Sequence, residues 1–268
     1  MNQILLVIVL YKCALKDSHS YRSLLSRYDA LSIFVYDNSP FSQQIKRDRA
    51  EYVHDPENQG LSVAYNAACK YAKENGYDWM LLLDQDTDFS NISLDDYINA
   101  INANEDVKMI APKVRAGNKY MSPIKVWHHI AVLQESVPSG MISLRKYIPI
   151  NSGMCVNIKA MMKCGGYNED VFLDYSDHEF VRRFRKHYPT AYILDKEIHQ
   201  NLSVVSDDKN SSINRYKLYC ESIRACERSG HSDNFWYFIL VLKRGLSICF
   251  RKRTILPLKI FFLKYLFL

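Results

Sequence analysis

The sequence predicts an α/β fold: a Rossmann-like, mostly parallel central sheet flanked by helices, with a helical appendage at the C-terminus. Two observations predict the sheet. Short apolar runs alternate with stretches of helical spacing between Ile4 and Val114, and the runs are continuous, as strands covered on both faces require. The third observation is charge, because residues 235–268 carry seven basic residues and no acidic one.

Residues 4–10 read as a first strand, 21–28 as a helix, and 31–36 as a second strand running into Asp37-Asn38-Ser39-Pro40. Residues 52–54 read as a short third strand. Apolar residues at 61, 64, 65, 68, 71 and 72 have the spacing of a helix lying on a sheet. Residues 79–83 are an unbroken apolar strand, 95–101 a helix and 108–114 a strand. Residues 116–149 mix Gly, Pro and polar residues and predict irregular strands and loops. There Trp127, His128 and His129 either face an acceptor or form an ordinary strand edge. A helical pattern resumes after Ser176, with Phe180, Val181 and Phe184 on one face, and residues 191–194 read as a strand followed by His199.

A chain of 268 residues that is 48% hydrophobic and 24% charged folds around a core, which excludes disordered and fibrous classes. Its seven cysteines lack any Cys-x-x-Cys spacing, which argues against a disulfide framework or zinc ribbon and predicts a reducing, cytoplasmic setting. The opening apolar run meets Lys12 and Cys13, so it reads as a buried strand rather than a secretory signal. Of the net charge of +6, the tail supplies all the excess: residues 1–234 hold 28 basic and 29 acidic residues. The tail's apolar stretches are interrupted by Lys and Arg too often to span a bilayer. They suit either helices in the headgroup layer of an anionic membrane, anchored by Trp236, Tyr237, Phe261 and Phe262, or packing on the protein's own core with the cationic heads reaching water. Nucleic acid is disfavoured, since the body has no basic stripe. Two units follow: residues 1–220 as the catalytic domain and 221–268 as the basic, aromatic-rich appendage.

In open sheets of this kind ligands gather at the carboxyl ends of the strands. Asp37 follows the second strand, and Asp84-Gln85-Asp86 follows the strand at 79–83, so three carboxylates face one crevice. Asp84 and Asp86 offer hard oxygen ligands suited to Mg²⁺ or Mn²⁺, with His199 as a nitrogen ligand or a surface residue. Asp177, near a helix start, is the candidate general base, and Asp174 and Glu179 are alternatives.

In order and spacing, several stretches resemble the inverting family 2 glycosyltransferases of the GT-A fold, and most closely their rhamnosyltransferase-like branch. They are Tyr36-Asp37-Asn38-Ser39, Asn58-Gln59-Gly60-Leu61 with Ala64 and Asn66, Leu83-Asp84-Gln85-Asp86-Thr87, Asn151-Ser152-Gly153, Gly165-Gly166-Tyr167, the run 172–179 with Arg183, and His199. The resemblance covers about residues 4–220. It implies that Asp37 bonds the nucleobase, Asp84 lies near the ribose, Asp86 and His199 bind the metal, and Asp177 is the base. Asn58 and Gly60 fall where the family's loop passes beside the nucleotide. The sequence departs from the family at Leu10-Tyr11-Lys12-Cys13, at His178 and at Gln200-Asn201.

The resemblance implies transfer of a sugar, dTDP-rhamnose by analogy, from a nucleoside diphosphate to a hydroxyl of a glycan or lipid-linked acceptor, with inversion. The setting it implies is bacterial surface-polysaccharide synthesis, with the tail at the inner face of the cytoplasmic membrane. Two rivals are a sugar-phosphate nucleotidyltransferase and a non-catalytic glycan- or nucleotide-binding module. The first is disfavoured because residues 11–20 hold no glycine to cradle a triphosphate.

Overall fold

The computed structural model describes residues 3–28, 31–43, 45, 49–200 and 208–267. Strand β1 (Ile4–Leu10) lies between β2 (Ile33–Asp37) and β4 (Trp79–Asp84), and β3 (Ala50–His54) pairs outside β2. All four run parallel, as the continuous apolar runs require. The alternate faces of each strand feed two cores. Leu5, Val7 and Val9 pack with Phe34, Tyr36, Met80 and Leu82 under α2 (Leu61–Glu74). Leu6, Ile8 and Leu10 pack with Ile33, Val35, Leu81 and Leu83 on the other face. Helix α1 (His19–Ser23) is shorter than expected and passes into a 3₁₀ turn at Leu25–Arg27. The two-residue β5 (Thr87–Asp88) and helix α3 (Leu94–Ala103) follow, the helix opened by a reciprocal Ser93 and Asp96 capping box.

Beyond β4 the sheet becomes mixed. The segment expected to be irregular forms ordered strands: β6 (Met109–Ala116), β7 (Lys119–Trp127), β8 (Ile130–Gln134), β9 (Gly140–Ser143) and β10 (Tyr147–Ile148). Their pairing shifts register between Tyr120 and Lys125, around Pro123, which explains why no clean period of two marks them. Strand β11 (Cys155–Asn157) sits antiparallel between β4 and β6. After α4 (Ile158–Lys163) and α5 (Ser176–Phe184) comes β12 (Thr190–Gln200), which is longer than the expected 191–194. The charged run Asp195-Lys196-Glu197 hides it. Lys113 reaches Asp195 at 2.5 Å, and the Tyr120 hydroxyl bonds Glu197, so these charges lie along the sheet edge.

Helices α6 (Lys209–Ala225), α7 (His231–Lys252) and α8 (Leu256–Ile260), with a π-helical turn at Phe261–Leu266, close the chain. Tyr216, Tyr219, Cys220 and Ile223 of α6 share a third core with Tyr237, Val241, Ile248, Phe261 and Val171. The expected boundary at 220 thus falls inside α6. Gly245 lies where a Cβ would come within 2.4 Å of the Tyr216 hydroxyl, which itself donates to Val241 O. A helix-weakening glycine is retained there for close packing. Tyr237 and Phe261 are buried as a packed tail requires, while Phe250, Ile255, Phe262, Leu263 and Phe267 stay exposed. All seven cysteines are unpaired.

Candidate active site

The parallel half of the sheet brings the first two predicted carboxylates to one edge. Asp37 aligns with Leu10 and Asp84 with Val9, so both end strands flanking β1 on its carboxyl side. Asp37 is fully buried, with Oδ1 accepting from Ser39 N at 3.0 Å and Oδ2 from the Tyr52 hydroxyl at 2.8 Å. Next to it, Asn38 is 3% exposed and its Oδ1 has no hydrogen-bond partner. The loop to α2 is organised by Asp55, which accepts from Glu57 N and Gln59 N and from the Tyr36 hydroxyl. Asn58 there has φ of 52°.

Gly60 shows what its φ of 98° is for: a Cβ would lie 2.4 Å from Phe172 O. Leu61 N donates to that oxygen at 2.9 Å, and the Ser62 hydroxyl donates to Val171 O at 2.6 Å. The start of α2 is thereby seated on the segment that leads to Asp177. Asn66 extends the seam, donating to Tyr167 O and accepting from Tyr167 N.

The Asp84-Gln85-Asp86 turn is held from three sides. The Ser20 hydroxyl bonds Asp84 O, His19 N donates to Gln85 O, and the Gln85 amide exchanges hydrogen bonds with the Tyr11 backbone. Thr87 and Ser152 hydroxyls meet at 2.8 Å, and Asn151 bonds both the Ser176 hydroxyl and the Tyr167 hydroxyl. Asn151 and Ser152 therefore tie the acidic turn to the start of α5.

Asp84 lies within electrostatic reach of both Asp86 and Asp177. Burial, then the charges of Asp86 and Asp177, push Asp84 up to about 7. Burial also raises Asp86 and Asp177. The alternative bases are spent elsewhere. Glu179 forms a two-point pair with Arg183, both bonds 2.7 Å. Asp174 is bonded by Arg215 and Arg244 and is held below the usual carboxylate range despite its burial. Asp177 alone of the three keeps its carboxylate free of an arginine, which is what a proton acceptor needs.

His199, the expected metal ligand, makes no hydrogen bond or ion pair with Asp86 among the described residues. It pairs with Asp88 in the ladder between β12 and β5, and its side chain is exposed. Its neighbour Gln200 takes the opposite face, with Nε2 donating to Asp86 Oδ1 at 3.4 Å. The parity of the strand, which the sequence leaves open, puts the carboxamide where the resemblance puts the imidazole. Asn201, the other departure noted there, lies outside the described residues. Among the described residues no group of three His, Cys, Asp or Glu side chains forms a complete metal cage.

A buried polar cluster joins the β7–β8 turn to α5 and α7. His129 is buried: Nε2 sits 2.9 Å from Asp233 Oδ1, Arg182 Nη1 donates to Nδ1, and the Tyr175 hydroxyl lies 3.3 Å from Nδ1. Burial and then Arg182 push His129 down to about 4, so the ring is neutral. Asp233, despite its burial, is held at about 2 by Ser229 N, His129 and Arg182. Trp127 is 59% exposed, and His128 stacks on Trp236 at 4.2 Å. Sequence spacing does not find Gln200 as the partner of Asp86, or Arg215 and Arg244 as partners of Asp174, because each acts across a long separation in the chain.

Residues 7–169 match glycosyl transferase family 2, well over half the chain. The chain belongs to glycosyl transferase family 2. Within that family it is similar to the dTDP-rhamnosyl transferase RfbF of Shigella flexneri, 24% identical over 190 residues, or 68% of this chain. It spans 63% of that protein's length. Among solved structures, the mannosyltransferase PcManGT from Pyrobaculum calidifontis, in complex with GDP-Man and Mn²⁺, superposes with a TM-score of 0.55 at 12% identity, covering 91% of this chain and 74% of that one. GalNAc-T7 with UDP, GalNAc and Mn²⁺ gives 0.53 at 11% identity, covering 81% and 47%. At these identities the likeness is one of fold, and the fold is GT-A.

Proposed function

We propose that this family 2 chain transfers a sugar from a nucleoside diphosphate to an acceptor hydroxyl with inversion, Asp177 taking the acceptor's proton. The observation that carries this reading is the crowding of Asp84, Asp86 and Asp177 without an ion pair among the described residues. Three buried acids, two of which raise the proton affinity of the third, are costly to hold together. The arrangement is sensible when a cation and a proton-donating hydroxyl complete it.

The donor set fits a hard divalent cation, Mg²⁺ or Mn²⁺: carboxylates of Asp84 and Asp86 with the Gln200 carboxamide, the remaining positions open to phosphate oxygens and water. His199, expected as a ligand, lies on the other strand face. When bound, the cation neutralises charge that builds on the diphosphate as the sugar leaves. The Asn38 Oδ1 left without a partner supplies an acceptor for a nucleobase N–H, with Asp37 fixing the turn around it. The similarity to RfbF supports dTDP-rhamnose as the donor to test first, and a glycan or lipid-linked acceptor would approach past Trp127.

The direct test is release of nucleoside diphosphate from a panel of nucleotide sugars, including dTDP-rhamnose, with and without Mn²⁺. Mn²⁺-dependent release that disappears in Asp86→Ala is expected. Selective binding without release in any condition would favour the glycan- or nucleotide-binding module.

A second part of the proposal concerns location. Phe250, Ile255, Phe262, Leu263 and Phe267 are exposed amid Arg251, Arg253 and Lys259. Among the described residues no helix is long and apolar enough to cross a membrane. Such a surface suits attachment to an anionic leaflet from the cytoplasmic side. The double variant Phe250→Asp, Phe262→Asp, which spares the buried Tyr237 and Phe261, should lose co-sedimentation with phosphatidylglycerol vesicles. Unchanged sedimentation would remove the membrane from this reading.

A further inference from the structure

The clamp on Asp174 has an uneven charge balance. Arg215 of α6 grips the carboxylate with two nitrogens, Nη2 at 2.7 Å from Oδ1 and Nε at 3.1 Å from Oδ2. Arg244 of α7 takes the other oxygen, Nη2 to Oδ2 at 2.7 Å, while its guanidinium lies 4.0 Å over the Tyr219 ring. Two guanidinium groups meet one carboxylate, so the group carries a net charge near +1. Arg244, 32% exposed, lays its guanidinium on the ring as well as on the carboxylate. Arg215 has no such ring contact: its side chain is 42% exposed, and its Nη1 has no hydrogen-bond partner among the described residues.

The position of Arg215 matters because Asp174 lies three residues before Asp177, on the segment that Gly60 and Ser62 seat against α2. Arg215 is raised by its bonds to Asp174 first and also by the charge of Asp86. A fixed, pre-oriented guanidinium therefore stands within electrostatic range of the acidic turn. Gln200, the other side chain meeting Asp86, is neutral. A forked guanidinium with unused donors is the protein group best matched to phosphate oxygens.

We propose that Arg215 binds the diphosphate of the nucleotide-sugar donor directly, with Asp174 as the positioning residue that holds its fork in place. This rests on the glycosyl-transfer reading above. In the step, the bond between the anomeric carbon and the phosphate oxygen breaks with its electron pair passing to the diphosphate. The acceptor oxygen bonds to the anomeric carbon, and its proton passes to Asp177. Arg215 keeps its own proton and donates hydrogen bonds to the oxygens that gain charge.

The test is titration of the full chain with dTDP, UDP, GDP and CDP, and with the corresponding nucleosides. Arg215→Gln should weaken the preferred diphosphate about 10-fold or more and leave nucleoside affinity unchanged, because only the charge-assisted bonds are lost. Arg244→Gln, which opens the other arm of the same clamp, should change diphosphate affinity less than about threefold. Arg215→Lys, which keeps the charge without the fork, should recover part of the loss and provides a reading if Arg215→Gln folds poorly. Equal losses in the Arg215 and Arg244 variants, or wild-type diphosphate affinity in Arg215→Gln, would overturn the assignment and leave the proposed function standing. A wild-type chain that binds none of the four diphosphates would overturn both.

Discussion

Asp84, Asp86 and Asp177 have no arginine or lysine ion partner among the described residues, and burial raises all three. Asp174 and Asp233 are also buried, yet both are held below the usual carboxylate range, each in contact with arginine. Burial alone therefore does not decide how a carboxylate behaves in this protein; its partners do. The compensated pair serves as mortar. Asp174 and Asp233 fasten the segment before α5, and α5 itself, to helices α6 and α7. The uncompensated trio serves as a vacancy for charge, which a fold tolerates only where something arrives to fill it.

The comparison is most severely tested at Asp177. Asp177→Asn should lower turnover by about 10²–10⁴-fold, the usual value of a positioned base, with the thermal midpoint unchanged or higher because a buried uncompensated charge is gone. Nucleoside diphosphate release and thermal unfolding on one preparation decide it. A drop in midpoint instead would place Asp177 with the mortar.

Asp174→Ala should do the reverse, costing about 1–3 kcal/mol of stability in urea unfolding. The loss stays moderate because Arg215 and Arg244 still reach water. A neutral result would mean that the helical unit is held by its apolar contacts alone.

The smallest effect is the dependence of stability on pH, where the two regions should tilt in opposite directions. Asp84 has a folded value of about 7, above its ordinary value of 3.8, because of burial and then the charges of Asp86 and Asp177. Its contribution is full at low pH and is lost as the pH rises through 7. His129 is lowered from 6.5 to about 4, so its contribution is full above 6.5 and is lost as the pH falls through 4. Unfolding midpoints across pH 4–8 should show a shallower upper limb in Asp84→Asn and a shallower acid limb in His129→Gln. Parallel curves for both variants would erase the distinction between the regions.

Much of the parallel half was legible in the chain. The runs at 4–10 and 79–83 are strands with continuous burial, and the helix spacing at 61–72 matches α2. The antiparallel half was less so, because β7 and β12 carry charges and a register shift in mid-strand, which break the alternation that marks a half-buried strand. Residues 37, 84, 86 and 177 could be singled out because each sits at a strand or helix end. Their mutual effect could not be read there.

What the sequence determined by itself is local: which runs bury, where strands stop, and therefore that acids crowd one edge of a sheet. Tertiary structure alone decided which acids have partners. Arg215 and Arg244 lie 41 and 70 residues from Asp174 in the chain. It also decided whether His199 or Gln200 faces Asp86, since a strand's register is set by its neighbours and one residue of slip exchanges its faces. Charge compensation acts through space with no fixed spacing in the chain, so it becomes visible only when the chain is folded.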